Sequence, residues 1–124
     1  MKLALNDEGG LVARLFRATL LSVAGLRAAF SQPAFRLEVL VLFFAIPAAL
    51  VLTGDAVQRA LLIASWLLVI VVEILNSAVE TVVDRIGKEY HELSRRAKNL
   101  GSAAVFCSIL LAFGVWILVL GNAR

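Results

Sequence analysis

Residues 60–84 read ALLIASWLLVIVVEILNSAVETVVD, and the polar positions within this stretch decide the fold. The first 13 of these residues, 60–72, carry no charge, whereas a membrane-spanning helix needs about 20 residues. A spanning helix must therefore continue past Glu73 and take that carboxylate into the membrane. Five polar residues then share one helix face within an arc of about 100°: Glu73, Asn76, Ser77, Glu80 and Asp84. Ionisable groups at that depth are costly and indicate a functional site.

The composition is typical of a small integral membrane protein. Of the 124 residues, 61% are hydrophobic and only 17% are charged, with a mean hydropathy of +0.93. Soluble domains have about 25% charged residues. The net charge of +3 could suggest nucleic-acid binding, but the basic residues flank apolar segments, as in membrane proteins. We therefore expect a membrane protein with no nucleic-acid partner.

Cysteine content and the N-terminal residues exclude two further classes. Cys107 is the only cysteine in the chain, which excludes an intrachain disulfide and a cysteine-based metal site. The N-terminus has no continuous apolar region before Arg14 and Arg17, so a cleaved signal peptide is not expected.

Three apolar segments predict three transmembrane helices. The first is expected at residues 35–54. The second is expected at residues 56–86, after an N-cap at Asp55, and ends in a cytoplasmic extension. The third, at residues 100–121, has 22 uncharged residues, which is enough to cross the membrane with some tilt.

The distribution of lysine and arginine predicts the orientation. Residues 1–36 and residues 84–99 contain five basic residues each, whereas the turn at residues 53–59 contains only Arg59. The positive-inside rule places both basic segments in the cytoplasm. We expect a bacterial inner-membrane protein with a cytoplasmic N-terminus, a charged and largely helical cytoplasmic connection at 84–99, and a periplasmic C-terminus.

Residues 10–30 alternate apolar residues with Arg14 and Arg17, which predicts an amphipathic helix on the inner membrane surface. The expected fold is therefore all-α, with three transmembrane helices and an N-terminal surface helix in one membrane domain over residues 1–124.

The spacing of the carboxylates indicates a division of roles. Glu73 and Glu80 are two helical turns apart, about 10 Å of rise, which is too far for them to share a proton. The deeper carboxylate could act on a group at membrane depth, and the shallower one could bind Mg²⁺ together with phosphate oxygens. Lys98 and Arg14 could neutralise phosphates, so phosphoryl transfer to a lipid hydroxyl is one hypothesis. The chain has no soluble-kinase motif.

Two other interpretations remain open at this point. A small transporter or channel subunit could use an intramembrane glutamate to couple proton movement. Alternatively, Glu73 and Asn76 could form interhelical hydrogen bonds that only stabilise a bundle. The third predicted span contains few polar residues, and the polar groups gather at one membrane interface, which favours the enzyme.

Several stretches resemble one known family. Residues 73–94 read EILNSAVETVVDRIGKEYHELS, followed by RAK at 96–98 and GSAAV at 101–105; GLRAAF at 25–30 and AFRLE at 34–38 match the N-terminal half. The sequence closely resembles the prokaryotic diacylglycerol kinase family over nearly its whole length. The form EYHELS is more similar to the diacylglycerol branch than to the undecaprenol branch.

The resemblance implies a homotrimer with active sites shared between subunits, which transfers the γ-phosphate of ATP to diacylglycerol and gives phosphatidic acid. Undecaprenol kinase and a catalytically weakened relative are the alternatives within the family. Mg²⁺ is the implied cofactor.

The resemblance also implies residue roles. Glu73 would be the general base, with Asn76 orienting it, and Glu80 would hold Mg²⁺. The implied nucleotide contacts are Arg14, Glu89, Tyr90, His91, Lys98 and Asn99. The residues implied to line the lipid side, with Glu73, are Phe35, Arg36, Glu38, Ser102 and Trp116.

Three positions depart from the family pattern. Gln32 stands nearest to the place of an acidic second metal ligand, Arg95 replaces a glycine, and Asn99 replaces an aspartate. All three changes shift the charge of the nucleotide and metal side in the positive direction.

Overall fold

The computed structural model describes residues 9–122, and this part of the chain is entirely helical apart from short connections. Its four helices are α1 (Leu11–Ala29), α2 (Pro33–Leu52), α3 (Ala56–Ile86) and α4 (Glu92–Asn122). The predicted all-α class is confirmed. The signal-peptide expectation, and both ends of the expected 1–124 domain, concern residues outside the described part.

Within residues 9–122, three helices are long and apolar enough to cross a membrane: α2 with 20 residues, α3 with 31 and α4 with 31. The bounds of α3 coincide with the predicted second segment, whereas α4 begins eight residues before the uncharged run at 100–121. The difference arises because hydropathy marks only the apolar part of a helix, while capping groups set its end. α2 continues without interruption through Pro47.

The turn between α2 and α3 satisfies the polar ends of both helices. The Asp55 carboxylate accepts a hydrogen bond from the backbone N–H of Gln58 at 2.8 Å, as the N-cap prediction requires. The Arg59 guanidinium donates to the carbonyls of Thr53 at 2.8 Å and Leu50 at 2.7 Å. These hydrogen bonds connect the start of α3 to the C-terminal end of α2.

The connection between α3 and α4 is not continuously helical. Gly87 follows α3 in an extended conformation, and its N–H donates to the carbonyl of Val83. His91 then accepts a hydrogen bond from the backbone N–H of Leu93 at 3.1 Å and so caps the start of α4. The predicted connection at 84–99 is therefore helical at both ends and interrupted at 87–91.

α3 is the central helix and packs against α2 on one side and α4 on the other. Two indole N–H groups link the helices. Trp66 donates to the backbone carbonyl of Glu38 at 2.8 Å, and Trp116 donates to the carbonyl of Leu62 at 3.0 Å. The polar face of α3 is thereby held in a fixed register relative to both neighbours.

α1 is attached mainly through its C-terminal end. Ala29 is its only buried residue, and it forms a cluster with Phe35 and Ile70. The ring of Phe30 packs edge-on against Phe35 with centroids 5.0 Å apart. The remaining large apolar side chains of α1 are exposed: Leu11, Val12, Leu15, Phe16, Leu20, Leu21, Val23 and Leu26.

We expect Trp66→Phe to lower the stability of the protein. The substitution keeps an aromatic ring but removes the hydrogen bond to the Glu38 carbonyl, and such interhelical bonds contribute about 0.6 kcal/mol in membranes. Unfolding in mixed micelles by increasing dodecyl sulfate would measure the loss. A midpoint equal to that of the unsubstituted protein would mean that the indole acts only by packing.

Candidate active site

Two carboxylates on neighbouring helices are buried close to one another. Glu38 on α2 and Glu73 on α3 are each only 7% exposed, at the contact between these helices where Phe35 packs with Ile70. The Oε2 atom of Glu38 is buried and has no hydrogen-bond partner within residues 9–122. Because a buried polar atom without a partner is costly, this pair has the character of a site that receives a polar ligand.

Asn76 and Glu80 form the next polar pair toward the end of α3. The Asn76 amide nitrogen donates to Oε1 of Glu80 at 3.4 Å, across one helical turn. The Asn76 Oδ1 atom is buried and unpaired among the described residues. Among the described residues, the Asn76 amide thus hydrogen-bonds to Glu80 and not to Glu73, the base that it was expected to orient.

A third pair links the ends of α3 and α4. The Lys98 ammonium donates to Asp84 at 2.7 Å, and both side chains are about half exposed, 44% and 51%. Lys98 precedes the uncharged run of α4, and its hydrogen bond to Asp84 raises its pKa. Its charge also interacts with Glu80. Exposed ion pairs contribute little stability, so this ammonium can exchange its partner for a phosphate.

A polar cavity of about 420 Å³ lies around the connection between α3 and α4. Its volume is within the range of small-molecule sites, about 300–1,000 Å³. The residues lining it are Val83, Asp84, Gly87, Lys88, Glu89, Tyr90, His91, Ser94, Arg95 and Lys98. The structure thus brings four of the six expected nucleotide contacts to one cavity.

One wall of this cavity is braced by a short network. The Tyr90 hydroxyl donates to Oε2 of Glu92 at 3.0 Å, and the Arg95 guanidinium donates to Oε1 of the same carboxylate at 2.8 Å. Arg95 was noted in the sequence only as a departure, yet it lines the cavity. The high density of charged residues at 84–98 is the sequence feature that could have identified both Arg95 and Lys88 as residues of this cavity.

A second cavity, of about 460 Å³, lies between α2, α3 and α4 and is almost wholly apolar. Its lining is Val41, Phe44, Ala45, Ala48, Trp66, Ala112, Phe113 and Trp116. Trp116, expected on the lipid side, therefore faces a space suited to hydrocarbon.

Comparison with known proteins gives the family. Residues 20–120 match the family model described as prokaryotic diacylglycerol kinase. The chain belongs to this family. The diacylglycerol kinase of Escherichia coli K12 is 52% identical over 108 residues, which cover 86% of this chain and 88% of that protein.

Two other diacylglycerol kinases show similar coverage. The protein of Haemophilus influenzae is 46% identical over 85% of this chain and 90% of its own length. That of Pseudomonas aeruginosa is 44% identical over 86% of this chain and 88% of its own length. These relatives favour the kinase over the transporter subunit that the sequence left open.

The remaining expected residues of this diacylglycerol kinase family member are dispersed within the single chain. Arg14 is exposed on α1, Gln32 is exposed at the N-cap of α2, and Asn99 is exposed on α4; none of the three lines the polar cavity. Arg36 and Ser102 are exposed, whereas Phe35 is 2% exposed in the cluster with Ala29.

The side chains of the diacylglycerol kinase site can hold Mg²⁺ only if phosphate groups of the substrate supply further oxygen ligands. No cluster of three acidic, histidine or cysteine residues occurs in residues 9–122. Mg²⁺ is commonly held by one or two carboxylates together with substrate phosphates and water. Glu80, half-buried, oriented by Asn76 and near Lys98, meets that requirement.

Proposed function

We infer that the protein is an ATP-dependent diacylglycerol kinase, which converts diacylglycerol to phosphatidic acid. The 52% identity to the Escherichia coli diacylglycerol kinase, over most of both chains, is the observation that carries this conclusion. The arrangement of the site supports it, because a buried carboxylate at membrane depth lies along one helix from a polar cavity at the membrane surface.

Glu73 acts as the general base in the proposed mechanism. Its carboxylate accepts the proton of the lipid hydroxyl while the hydroxyl oxygen attacks the γ-phosphorus of ATP. The bond between the γ-phosphorus and the bridging oxygen breaks, and ADP leaves with that electron pair. Glu38, buried beside Glu73, contacts the lipid headgroup through its unpaired oxygen.

The polar cavity binds the nucleotide in this proposal. Tyr90 and His91 line it together with Glu89, and Lys98 leaves Asp84 to pair with phosphate. Glu80 would hold Mg²⁺, with Gln32 as the second ligand, and the bound metal would supply positive charge to neutralise the phosphates. Because phosphoryl transfer depends mainly on positioning and charge, these residues supply most of the catalysis.

The lipid lies against the apolar surfaces of the bundle. The 460 Å³ cavity takes an acyl chain beside Trp116 in this proposal. Arg36 and Ser102, which are both exposed, are proposed to contact the lipid near the cytoplasmic end of the helices. Phe35, which packs with Ala29 and Ile70, holds α1, α2 and α3 together beside this lipid surface.

We further propose that the chain works as a homotrimer in the inner membrane, with a cytoplasmic N-terminus and a periplasmic C-terminus. The dispersal of Arg14 and Asn99 away from the polar cavity supports active sites completed by neighbouring subunits. The exposed apolar side chains of α1 support its position on the membrane surface.

The function is tested by ATP-dependent phosphorylation of diacylglycerol and of undecaprenol, side by side in mixed micelles with Mg²⁺. Glu73→Gln protein serves as the blank. Label in diacylglycerol above the blank is expected. Label only in undecaprenol would assign the other branch, and label in neither from folded protein would contradict the kinase.

Gln32→Glu should lower the Mg²⁺ concentration that gives half-maximal rate. A carboxylate at this position would add a negative charge and a stronger oxygen ligand than the amide. The rate is measured against Mg²⁺ at fixed ATP. Gln58→Glu is the matched control. It adds the same charge at the start of α3, near the C-terminal end of α2, whereas Gln32 lies at the N-terminal end of α2. An unchanged or higher requirement in Gln32→Glu would remove Gln32 from the metal site.

A further inference from the structure

Gly101 on α4 lies directly against the side chain of Asn76 on α3. A Cβ atom built on Gly101 would overlap the Oδ1 atom of Asn76 and lie 3.3 Å from its Cγ. Any other residue at this position would therefore displace the amide or separate the two helices. The absence of a side chain at Gly101 creates the space that Asn76 occupies.

The amide held in this space is the hydrogen-bond partner of Glu80. Its Oδ1 atom is buried and unpaired within the described residues, and its nitrogen donates to Oε1 of Glu80. The contact with α4 therefore fixes which way the amide group points. We propose that Gly101 is a positioning residue of the kinase, which keeps Asn76 directed at Glu80.

This inference rests on the proposed function, in which Glu80 holds Mg²⁺ with the phosphates of ATP. Hydrogen-bond partners of metal-binding carboxylates orient them, and losing such a partner typically lowers metal affinity about 10–100-fold. The two helices are joined elsewhere by the hydrogen bond from Trp116 to the Leu62 carbonyl. A methyl group at residue 101 should therefore turn the Asn76 side chain before it parts the helices.

Gly114 provides a matched control on the same helix. A Cβ atom built there has no neighbour within 4 Å. Gly101→Ala and Gly114→Ala both add one methyl group to the interior of α4 and gain the same helix propensity. A difference between the two variants therefore reports the contact with Asn76.

The first experiment measures the rate of diacylglycerol phosphorylation against Mg²⁺ at fixed ATP. In Gly101→Ala, the half-saturating Mg²⁺ concentration should rise about tenfold, whereas in Gly114→Ala it should stay unchanged. A merely structural defect would reduce the active fraction without shifting the half-saturating concentration. An unshifted Mg²⁺ dependence in Gly101→Ala would overturn the proposal. Absence of kinase activity in both the unsubstituted protein and Gly114→Ala would instead refute the proposed function.

A second measurement does not depend on activity. Gly101→Ala is introduced into the unsubstituted protein and into Asn76→Ala, and thermal unfolding in detergent is followed for all four proteins. The substitution should lower the Tm in the presence of Asn76, because the added methyl group overlaps the amide. In Asn76→Ala the overlapping amide is absent, so the same substitution should instead raise the Tm through its gain in helix propensity. Equal effects in both backgrounds would show that Gly101 does not act through Asn76. The double variant also supplies folded protein if Gly101→Ala alone fails to assemble.

Discussion

Glu73→Gln is expected to abolish phosphoryl transfer to diacylglycerol while the protein still folds. The amide has the shape of the carboxylate but cannot accept a proton, and a general base contributes about 10²–10⁴-fold to rate. Folding should be retained because glutamine has nearly the same shape and removes a costly buried charge from a residue that is only 7% exposed. Steady-state rates and detergent unfolding midpoints measure the two parts of this prediction.

Asp55→Asn is the control for replacing a carboxylate by an amide elsewhere on α3. Asp55 caps the opposite end of α3, and asparagine is an equally good N-cap, so activity should be unchanged. If Glu73→Gln stayed active while Asp55→Asn behaved as expected, Glu73 would not be the base. A loss of folding in Glu73→Gln would assign the residue a structural role instead.

Glu80→Gln should reduce the rate by at least about 10²-fold, equivalent to about 3 kcal/mol of transition-state stabilisation. The glutamine oxygen can still accept the hydrogen bond from Asn76, so the substitution isolates the negative charge. The rate is measured over a wide range of Mg²⁺ concentration, and the same titration is repeated with Mn²⁺.

Glu80→Asp distinguishes charge from geometry at this position. It keeps the carboxylate but shortens the side chain by one carbon, so it should recover part of the activity and a measurable Mg²⁺ dependence. Glu80→Gln protein with the activity and Mg²⁺ dependence of the unsubstituted chain would place the metal elsewhere.

Arg95 contributes positive charge to the polar cavity between α3 and α4. Its guanidinium lines the polar cavity with Lys98 and Lys88 and is held by Glu92, which also accepts the Tyr90 hydroxyl. Charge-assisted contacts to a carboxylate fix such a side chain in one orientation. Relative to the glycine that the family resemblance led us to expect at this position, Arg95 adds positive charge to the cavity and a fixed side chain to its wall.

The long apolar helices were predictable because hydropathy and caps are local properties. Asp55 and Gln58 marked the start of α3, and the uncharged residues at 100–121 marked the apolar part of α4. The end of α3 at residue 86 was predicted, whereas the non-helical stretch that continues to residue 91 was not, since its end depends on the side chain of His91 replacing a backbone partner. The hydrogen bond from the Tyr90 hydroxyl to Glu92 likewise could not be predicted from the pattern of charged residues.

The sequence by itself determined the helical class, the three apolar helices, the family and the polar face of α3, because helical periodicity and apolar length are written in the order of the residues. Tertiary structure alone decided which partners that face meets. The burial of Glu73 beside Glu38, and the placement of Asn76 against Gly101, join residues that are 35 and 25 positions apart in the chain. Such contacts depend on the register in which α2 and α4 pack on α3, which is set by side-chain fit across the helices and not by any local pattern.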